Sequence, residues 1–347
     1  MCQLVAYIGN RPIAPLMLKA LELQEPYFAA HATGLGTLNN GKISIAKASG
    51  HVAKVKRKIP EIKKLEGKAG IGHSRYSNLA RDDPRMNTDE MVHPFTSDDG
   101  KLALMHNGEI HNYMDHYARL KTKHTFKSYA KDVDFLVDSE MAVHLLSDYL
   151  KEGLGVGEAL QIIAPQLTGT FLLSAINADE PETVWIANWH QPCVLGIGDN
   201  ESIFVSSHVG LTPIKEELKK IWEPPMNSLI KLTPGNAEIK TLDPKRKPPE
   251  IKLNKKLLKE EILNVVSKGD VDFRNLYHCL LWNSWSRVYG LDKKEWDTIW
   301  KQGFMNINPF IGVLDELISE GKIRQYVDRR LEGQTKNTPR FAYSLMK

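Results

Sequence analysis

The sequence predicts an α+β protein, a domain of sheets covered by helices followed by a smaller, mostly helical module. Three observations carry this prediction. Short apolar runs of strand length, set apart by Gly, Asn and Asp, dominate the chain up to about residue 242, and few amphipathic stretches of helical spacing interrupt them. The segment Asp243-Pro244-Lys245-Arg246-Lys247-Pro248-Pro249 then ends all periodicity, because proline offers no backbone donor to a helix or sheet. Beyond it the apolar spacing lengthens to helical periods.

In chain order, strands are expected at Leu4–Ile8, Ile43–Ala46, Leu102–Met105, Phe171–Ala175, Val184–Ala187, Ser202–Val205 and Leu229–Leu232. Helices are expected at Ala14–Leu23, where Pro15 falls in the tolerant first turn, and at Ser139–Leu150. These make up a domain over 2–242. A linker covers 243–252, and a module follows over 253–347. In the module the helical stretches are Lys255–Ser267, Phe273–Val288 and Pro309–Ser319, ahead of a terminal hairpin from Lys322–Val327 and Arg340–Leu345. Three helices and a hairpin outline a winged helix, a DNA-binding architecture, although similar bundles also serve as protein-docking modules.

A chain of 347 residues, 42% hydrophobic and 25% charged, is long enough for two or three cores. No run approaches the roughly 18 apolar residues of a membrane span, and the opening MCQLVAYIGNRP has no secretory pattern. A cytoplasmic protein without a membrane partner is expected. Cys2, Cys193 and Cys279 form no paired motif, so neither a disulfide framework nor a structural zinc site is indicated. The net charge is +4, and the surplus falls after the linker, which permits DNA contact without requiring it.

Four short segments carry chemistry. Cys2 follows the initiator Met; removal of Met1 would leave a thiol and an α-amine on one residue, and an amine with a pKa near 8 can serve as base for its own side chain. Gly70-Ile71-Gly72-His73-Ser74-Arg75-Tyr76-Ser77 places a guanidinium just past an apolar run, suited to a carboxylate. His106-Asn107-Gly108-Glu109-Ile110 reads either as a turn or as oxyanion donors from the Asn107 amide and the Gly108 N–H. Val137-Asp138-Ser139-Glu140 opens a helix, with Asp138 either a cap or the partner of a substrate ammonium group.

Together and in this order, these segments resemble the glutaminase domain of the class II, N-terminal-nucleophile amidotransferases, closest to that of glucosamine-6-phosphate synthase. Leu167-Thr168-Gly169-Thr170-Phe171 and the run from Trp185 through Ser206 to Pro213 continue the likeness. The resemblance implies a four-layer αββα fold and hydrolysis of glutamine to glutamate and ammonia through a thioester on Cys2, with no cofactor and no metal. It implies that Arg75, beside Tyr76, binds the α-carboxylate, that Asp138 binds the α-amino group, and that Asn107 and Gly108 stabilise the tetrahedral intermediate.

The chain also departs from that family. Gln3 follows the cysteine where glycine is usual. Glu25-Pro26-Tyr27-Phe28-Ala29-Ala30-His31-Ala32-Thr33-Gly34 lacks the arginine and acid of the corresponding family segment, and Asn78-Leu79-Ala80-Arg81 diverges after Arg75. His106, His111 and His116 recur every five residues, which drifts around a helix, so they are read as solvated or capping. Trp282, Trp285, Trp296 and Trp300 have the spacing of a helix core, and Cys193 and Cys279 read as buried thiols. Lys322, Arg324, Arg329, Arg330, Lys336 and Arg340 line the hairpin and could touch phosphates.

The residues after the linker are too few for paired sugar-isomerase domains and show no Gly-rich phosphate loop. Ammonia is therefore expected to pass to a separate acceptor subunit. A split glutamate synthase subunit and a glutamine-sensing, DNA-binding regulator are the alternatives, and assembly with a second copy is left open.

Overall fold

The computed structural model describes the chain apart from residues 29, 78, 80–82, 247–252, 302–306, 330–336 and 347. Among the described residues two antiparallel sheets face each other. The first takes its strands from β1 (Gln3–Ile8), β2 (Ala32–Asn39), β3 (Lys42–Ser49), β4 (Ala69–Arg75), β9 (Val194–Ile197), β10 (Ser202–Val205) and β11 (Lys220–Trp222), in the order β11-β9-β10-β1-β4-β2-β3. The second takes β5 (Phe95–Thr96), β6 (Leu102–Ile110), β7 (Gly169–Asn177), β8 (Val184–Asn188), β12 (Ser228–Thr233) and β13 (Asn236–Thr241), in the order β13-β12-β8-β7-β6-β5.

Two-residue alternation along β1 decides what faces what. Leu4, Ala6 and Ile8 join Ile71, Ala103, Met105, Leu172 and Ile186 in the core between the sheets, and Cys2 lies on that same face. Val5 and Tyr7 point the other way, into a core under α1 (Ile13–Gln24) and α2 (Val52–Lys58). Gly72 of β4 permits close approach there, since a side chain would press Leu35 Cδ2 at 2.6 Å and Met17 Cε at 3.0 Å. The outer face of the second sheet is covered by α4 (Asp138–Lys151) and α5 (Val156–Ile163), with α3 (Tyr113–Leu120) packed beside them through Leu120. The result is the expected four layers, helices outside and sheets inside.

After β13 come α6 (Lys255–Val266), β14 (Val271–Asp272), α7 (Phe273–Asn283), α8 (Trp285–Tyr289), α9 (Lys293–Lys301), α10 (Asn308–Ser319) and the hairpin of β15 (Ile323–Arg329) and β16 (Pro339–Leu345). The stretch expected as one helix over Phe273–Val288 is broken at Ser284, whose backbone leaves helical geometry. A further helix, α9, was not expected. Its Trp296 is buried and stacks on Tyr289, as a core assignment requires, whereas the side chains of Trp282, Trp285 and Trp300 lie outside the described residues. No helix among the described residues is long and apolar enough to cross a membrane.

The helical module is not a free appendage. Tyr27 and Phe28 insert into its core against Phe273, Tyr277 and Phe341, the Phe341 N–H donates to Pro26 O at 3.0 Å, and Asn308 Nδ2 donates to Ser206 O at 3.1 Å. Pro26, Tyr27 and Phe28, within the segment that departs from the family pattern, thus meet the module directly. Arg246, at the start of the linker, is held over Trp189 and donates to Leu167 O at 2.6 Å; residues 247–252 of that linker lie outside the described residues.

Candidate active site

Cys2, Arg75, Tyr76, Asn107, Gly108 and Asp138 all line one cavity of about 740 Å³. Each reaches it by a local rule. Cys2 precedes β1 in phase with the inter-sheet residues, and Arg75 ends β4, which pairs with β1 throughout. On β6, Asn107 follows Ala103 and Met105 toward the first sheet, while His106 follows Leu104 toward α4. Asn107-Gly108 is therefore not a turn, since β6 runs through it in register with β7. Gly108 has φ +124, and a Cβ there would collide with the Thr170 carbonyl, so the position demands glycine.

Asn107 Oδ1 accepts the Cys2 N–H at 3.0 Å, and its Nδ2 donates to Gln191 Oε1 at 3.1 Å. Gln191 Nε2 in turn donates to Thr170 Oγ1 at 3.2 Å. The Tyr76 N–H donates to Cys2 Sγ at 3.3 Å. Burial pushes the Cys2 thiol up, with the neighbouring amino terminus, the Tyr76 N–H and Arg75 opposing. The buried Met1 amine is lowered to about 6, by burial first and then by the charge of Arg274, against Cys2 and Glu109.

Arg75 is buried, and its Nη1 donates to Met86 O at 2.9 Å and Asn87 Oδ1 at 3.3 Å, which fixes the guanidinium before any ligand arrives. Asp138 is not a helix cap. The N-cap of α4 is Val137, without a side-chain cap bond, and Asp138 Oδ2 instead accepts the Ile110 N–H at 2.9 Å. Burial raises its carboxyl, but His106 beside it, the Ile110 N–H and Ser139 outweigh this and hold it below the usual range. Ser139 Oγ joins the set, donating to Asp138 Oδ1 at 3.1 Å and contacting His106 Nδ1 at 2.9 Å and His93 Nε2 at 2.7 Å. Arg75 and Asp138 thus give the cavity a cation and an anion, each held by hydrogen bonds.

The remaining sequence readings divide. His106 and His116 are buried and hydrogen-bonded, neither solvated nor capping, because alternation on β6 and the packing of α3 turn them inward; His111 is exposed. Cys193 is buried, Cys279 only partly so. Of the hairpin cations, Lys322 pairs with Glu320, Arg340 with Asp272 and Asp328, Arg324 donates to Ser344 and Arg329 to Asn337 O. Arg330 and Lys336 lie outside the described residues, as do Asn78, Ala80 and Arg81 of the divergent segment, whose Leu79 reaches the cavity rim.

Arg274, Tyr277 and His278, on α7 of the helical module, also line the cavity and carry no signal in the sequence, because nothing local links them to Cys2. Gln191 was missed for the same reason. The Arg274 guanidinium lies 5.6 Å from the Tyr76 ring centroid.

The layered sheets and helices define a fold similar to that of the N-terminal-nucleophile amidotransferases. The sequence model of the glutamine amidotransferase domain family matches residues 80–211. Glutamine–fructose-6-phosphate aminotransferase (isomerizing) of Staphylococcus aureus is 29% identical over 223 residues, covering 64% of this chain and 34% of that protein. Its Mycobacterium tuberculosis counterpart is 33% identical over 215 residues, 60% of this chain and 32% of that one. The chain thus spans about a third of the length of these relatives. Among solved structures, glutamine phosphoribosylpyrophosphate amidotransferase from B. subtilis shares the fold, with a TM-score of 0.58 and 16% identity over 76% of this chain and 58% of that chain. This chain carries a class II glutamine amidotransferase domain, an enzyme domain homologous to the glutamine domain of the sugar aminotransferases.

Proposed function

We propose that the chain hydrolyses glutamine to glutamate and ammonia once Met1 is removed, and hands the ammonia to a separate acceptor subunit. The observation that carries this is the convergence of Cys2, Arg75, Asn107, Gly108 and Asp138 on one cavity. Arg75 would take the α-carboxylate and Asp138 the α-ammonium. The Cys2 thiol gives its proton to its own α-amine, oriented by Asn107 Oδ1, and the sulfur bonds to the γ-carbonyl carbon. The oxyanion is met by the Gly108 N–H and the second N–H of the Asn107 amide. Collapse breaks the C–N bond as the ammonium returns its proton to the leaving ammonia, and water then cleaves the thioester to glutamate. Burial favours a neutral amine at this place, as it does for the Met1 amine next to Cys2, which is lowered to about 6.

A second reading, a glutamine-responsive regulator, is supported by Arg274, Tyr277 and His278, which tie the helical module to the same cavity. The order helix, strand, helices and hairpin supports a winged-helix relationship for that module. Its α10, however, has no Lys or Arg and carries Asp315 and Glu316, a face poorly suited to phosphates. This favours a protein-facing role over DNA. A split glutamate synthase subunit would use the same site chemistry.

The test combines mass spectrometry for Met1 with glutamate release from glutamine, alongside Cys2→Ala. Release that requires Cys2 is expected. No release from the processed protein, or equal release from both forms, overturns the catalytic reading.

A further inference from the structure

Away from the cavity, around His144 of α4, one donor atom from each of Asp98, His124 and His144 lies within 4.8 Å of the other two. Asp98 sits in the turn before β6, His124 in the loop after α3, and His144 on α4 itself. The hydrogen bonds around them fix which atoms are offered. His144 Nε2 donates to Thr125 O at 3.1 Å, so the neutral ring presents a bare lone pair at Nδ1, and that buried atom has no hydrogen-bond partner. His124 Nε2 donates to Asp148 Oδ1 at 2.8 Å, which leaves its Nδ1 facing Asp98 Oδ2 at 2.7 Å. The other Asp98 oxygen is held by the Thr125 N–H at 3.2 Å.

Each of the three donors is therefore braced by an outer hydrogen bond, the arrangement that orients metal-bound histidine and carboxylate. A nitrogen lone pair and a carboxylate oxygen at 2.7 Å repel unless a cation lies between them. A proton on His124 satisfies that pair but leaves His144 Nδ1, 3.9 Å from the same oxygen, with nothing. A metal ion satisfies all three. Neighbouring ligands of a tetrahedral zinc ion stand about 3.3 Å apart, between the two distances seen, so small side-chain shifts close the site.

We propose that Asp98, His124 and His144 form a divalent transition-metal site, suited to zinc, with solvent in the fourth position. Two imidazoles and one carboxylate suit zinc and exclude a calcium or magnesium preference, which calls for oxygen ligands. Access is from the Asp98 side, which is partly exposed, while both histidines are buried. The ion would pin two loops to α4, the helix that begins with Asp138. The proposal does not depend on the glutaminase reading.

Full-length Cys2→Ala protein, which lacks the cavity thiol, is stripped with a chelator and titrated with zinc by calorimetry and with cobalt by visible absorption. One equivalent of zinc, a cobalt band of a four- or five-coordinate ion and a raised melting temperature are expected. His144→Phe, which keeps a flat ring but no lone pair, should lose stoichiometric uptake. Asp148→Asn, which weakens only an outer bond, should bind roughly 10- to 100-fold more weakly. Metal-free melting curves establish that the variants fold; a variant that does not is replaced by Asp98→Asn. Failure to take up one equivalent, or uptake undiminished in His144→Phe or Asp98→Asn, overturns the proposal and leaves a proton alone between His124 and Asp98.

Discussion

The Arg274 guanidinium stands 5.6 Å from the ring centroid of Tyr76, the residue whose backbone N–H donates to Cys2 Sγ. A cation of the helical module thereby meets the residue that contacts Cys2, and its charge lowers the buried Met1 amine. After Met1 is removed, Arg274 should act in the same way on the Cys2 amine, so losing it should raise that amine's pKa and move the rising limb of kcat/KM against pH to higher pH. Arg274→Ala should cost about 0.5–2 kcal/mol, roughly two- to thirty-fold in kcat/KM at neutral pH. Arg274→Lys keeps the charge but not the planar stacking, and should restore the pH limb while leaving part of the loss. Superimposable pH profiles for all three forms would contradict this role.

Asp138→Asn separates binding from stability. Asparagine can still accept the Ile110 N–H, and α4 does not use Asp138 as a cap, so the melting temperature should change little. Losing the charge opposite a substrate ammonium should cost about 1.5–3 kcal/mol, roughly 10- to 150-fold in KM for glutamine. A large drop in melting temperature with unchanged KM would return Asp138 to a structural role.

Phe28→Ala tests the seating of the module. Phe28 is 3% exposed and makes edge contacts with Phe273, Tyr277 and Tyr76. Truncation should cost about 3–5 kcal/mol and expose residues after 253 to limited proteolysis first. Unchanged cleavage kinetics would show that the module holds its place without this side chain.

Glu25 gives a pH dependence of known sign. Burial raises its carboxyl to about 8, against roughly 4.3 in an unfolded chain. Between those values the native state keeps a proton that the unfolded state has lost. Its contribution to stability is therefore full below about 4.3 and declines as pH rises through about 8. Glu25→Gln stays neutral and can still accept the Val52 N–H, bonded at 3.0 Å in the native protein. Melting temperatures of variant and parent should converge near pH 4 and diverge upward for the variant by pH 8 and above. A gap constant with pH would refute the buried neutral acid.

The strands over Leu4–Ile8, Phe171–Ala175 and Val184–Ala187 were legible because two-residue alternation and turn residues are local properties. β2 and β4 were not. Their Gly34, Gly36, Gly70 and Gly72 dilute the apolar signal, and those glycines are present because helix, strand and loop neighbours approach closely, which only the packed state demands. Of the two readings of Asp138, the helix cap fails for a related reason. A local rule places an acid at a helix start, but here the stronger partner is the Ile110 N–H, delivered by a distant strand.

The sequence by itself determined the layered α+β class, and it offered a set of residue types suited to holding an amino acid and attacking its amide. Only the tertiary structure decided that these residues share one cavity, that Gln191 braces Asn107, and that Arg274, Tyr277 and His278 complete the wall. It also gave Tyr27 and Phe28, within a segment that departs from the family, a place in the core of the helical module. The division follows from range. Periodicity, capping and motif spacing act over a few residues and can be read along the chain, whereas the depth of a pocket, the charge facing an amine and the lone pair at His144 arise where distant segments meet.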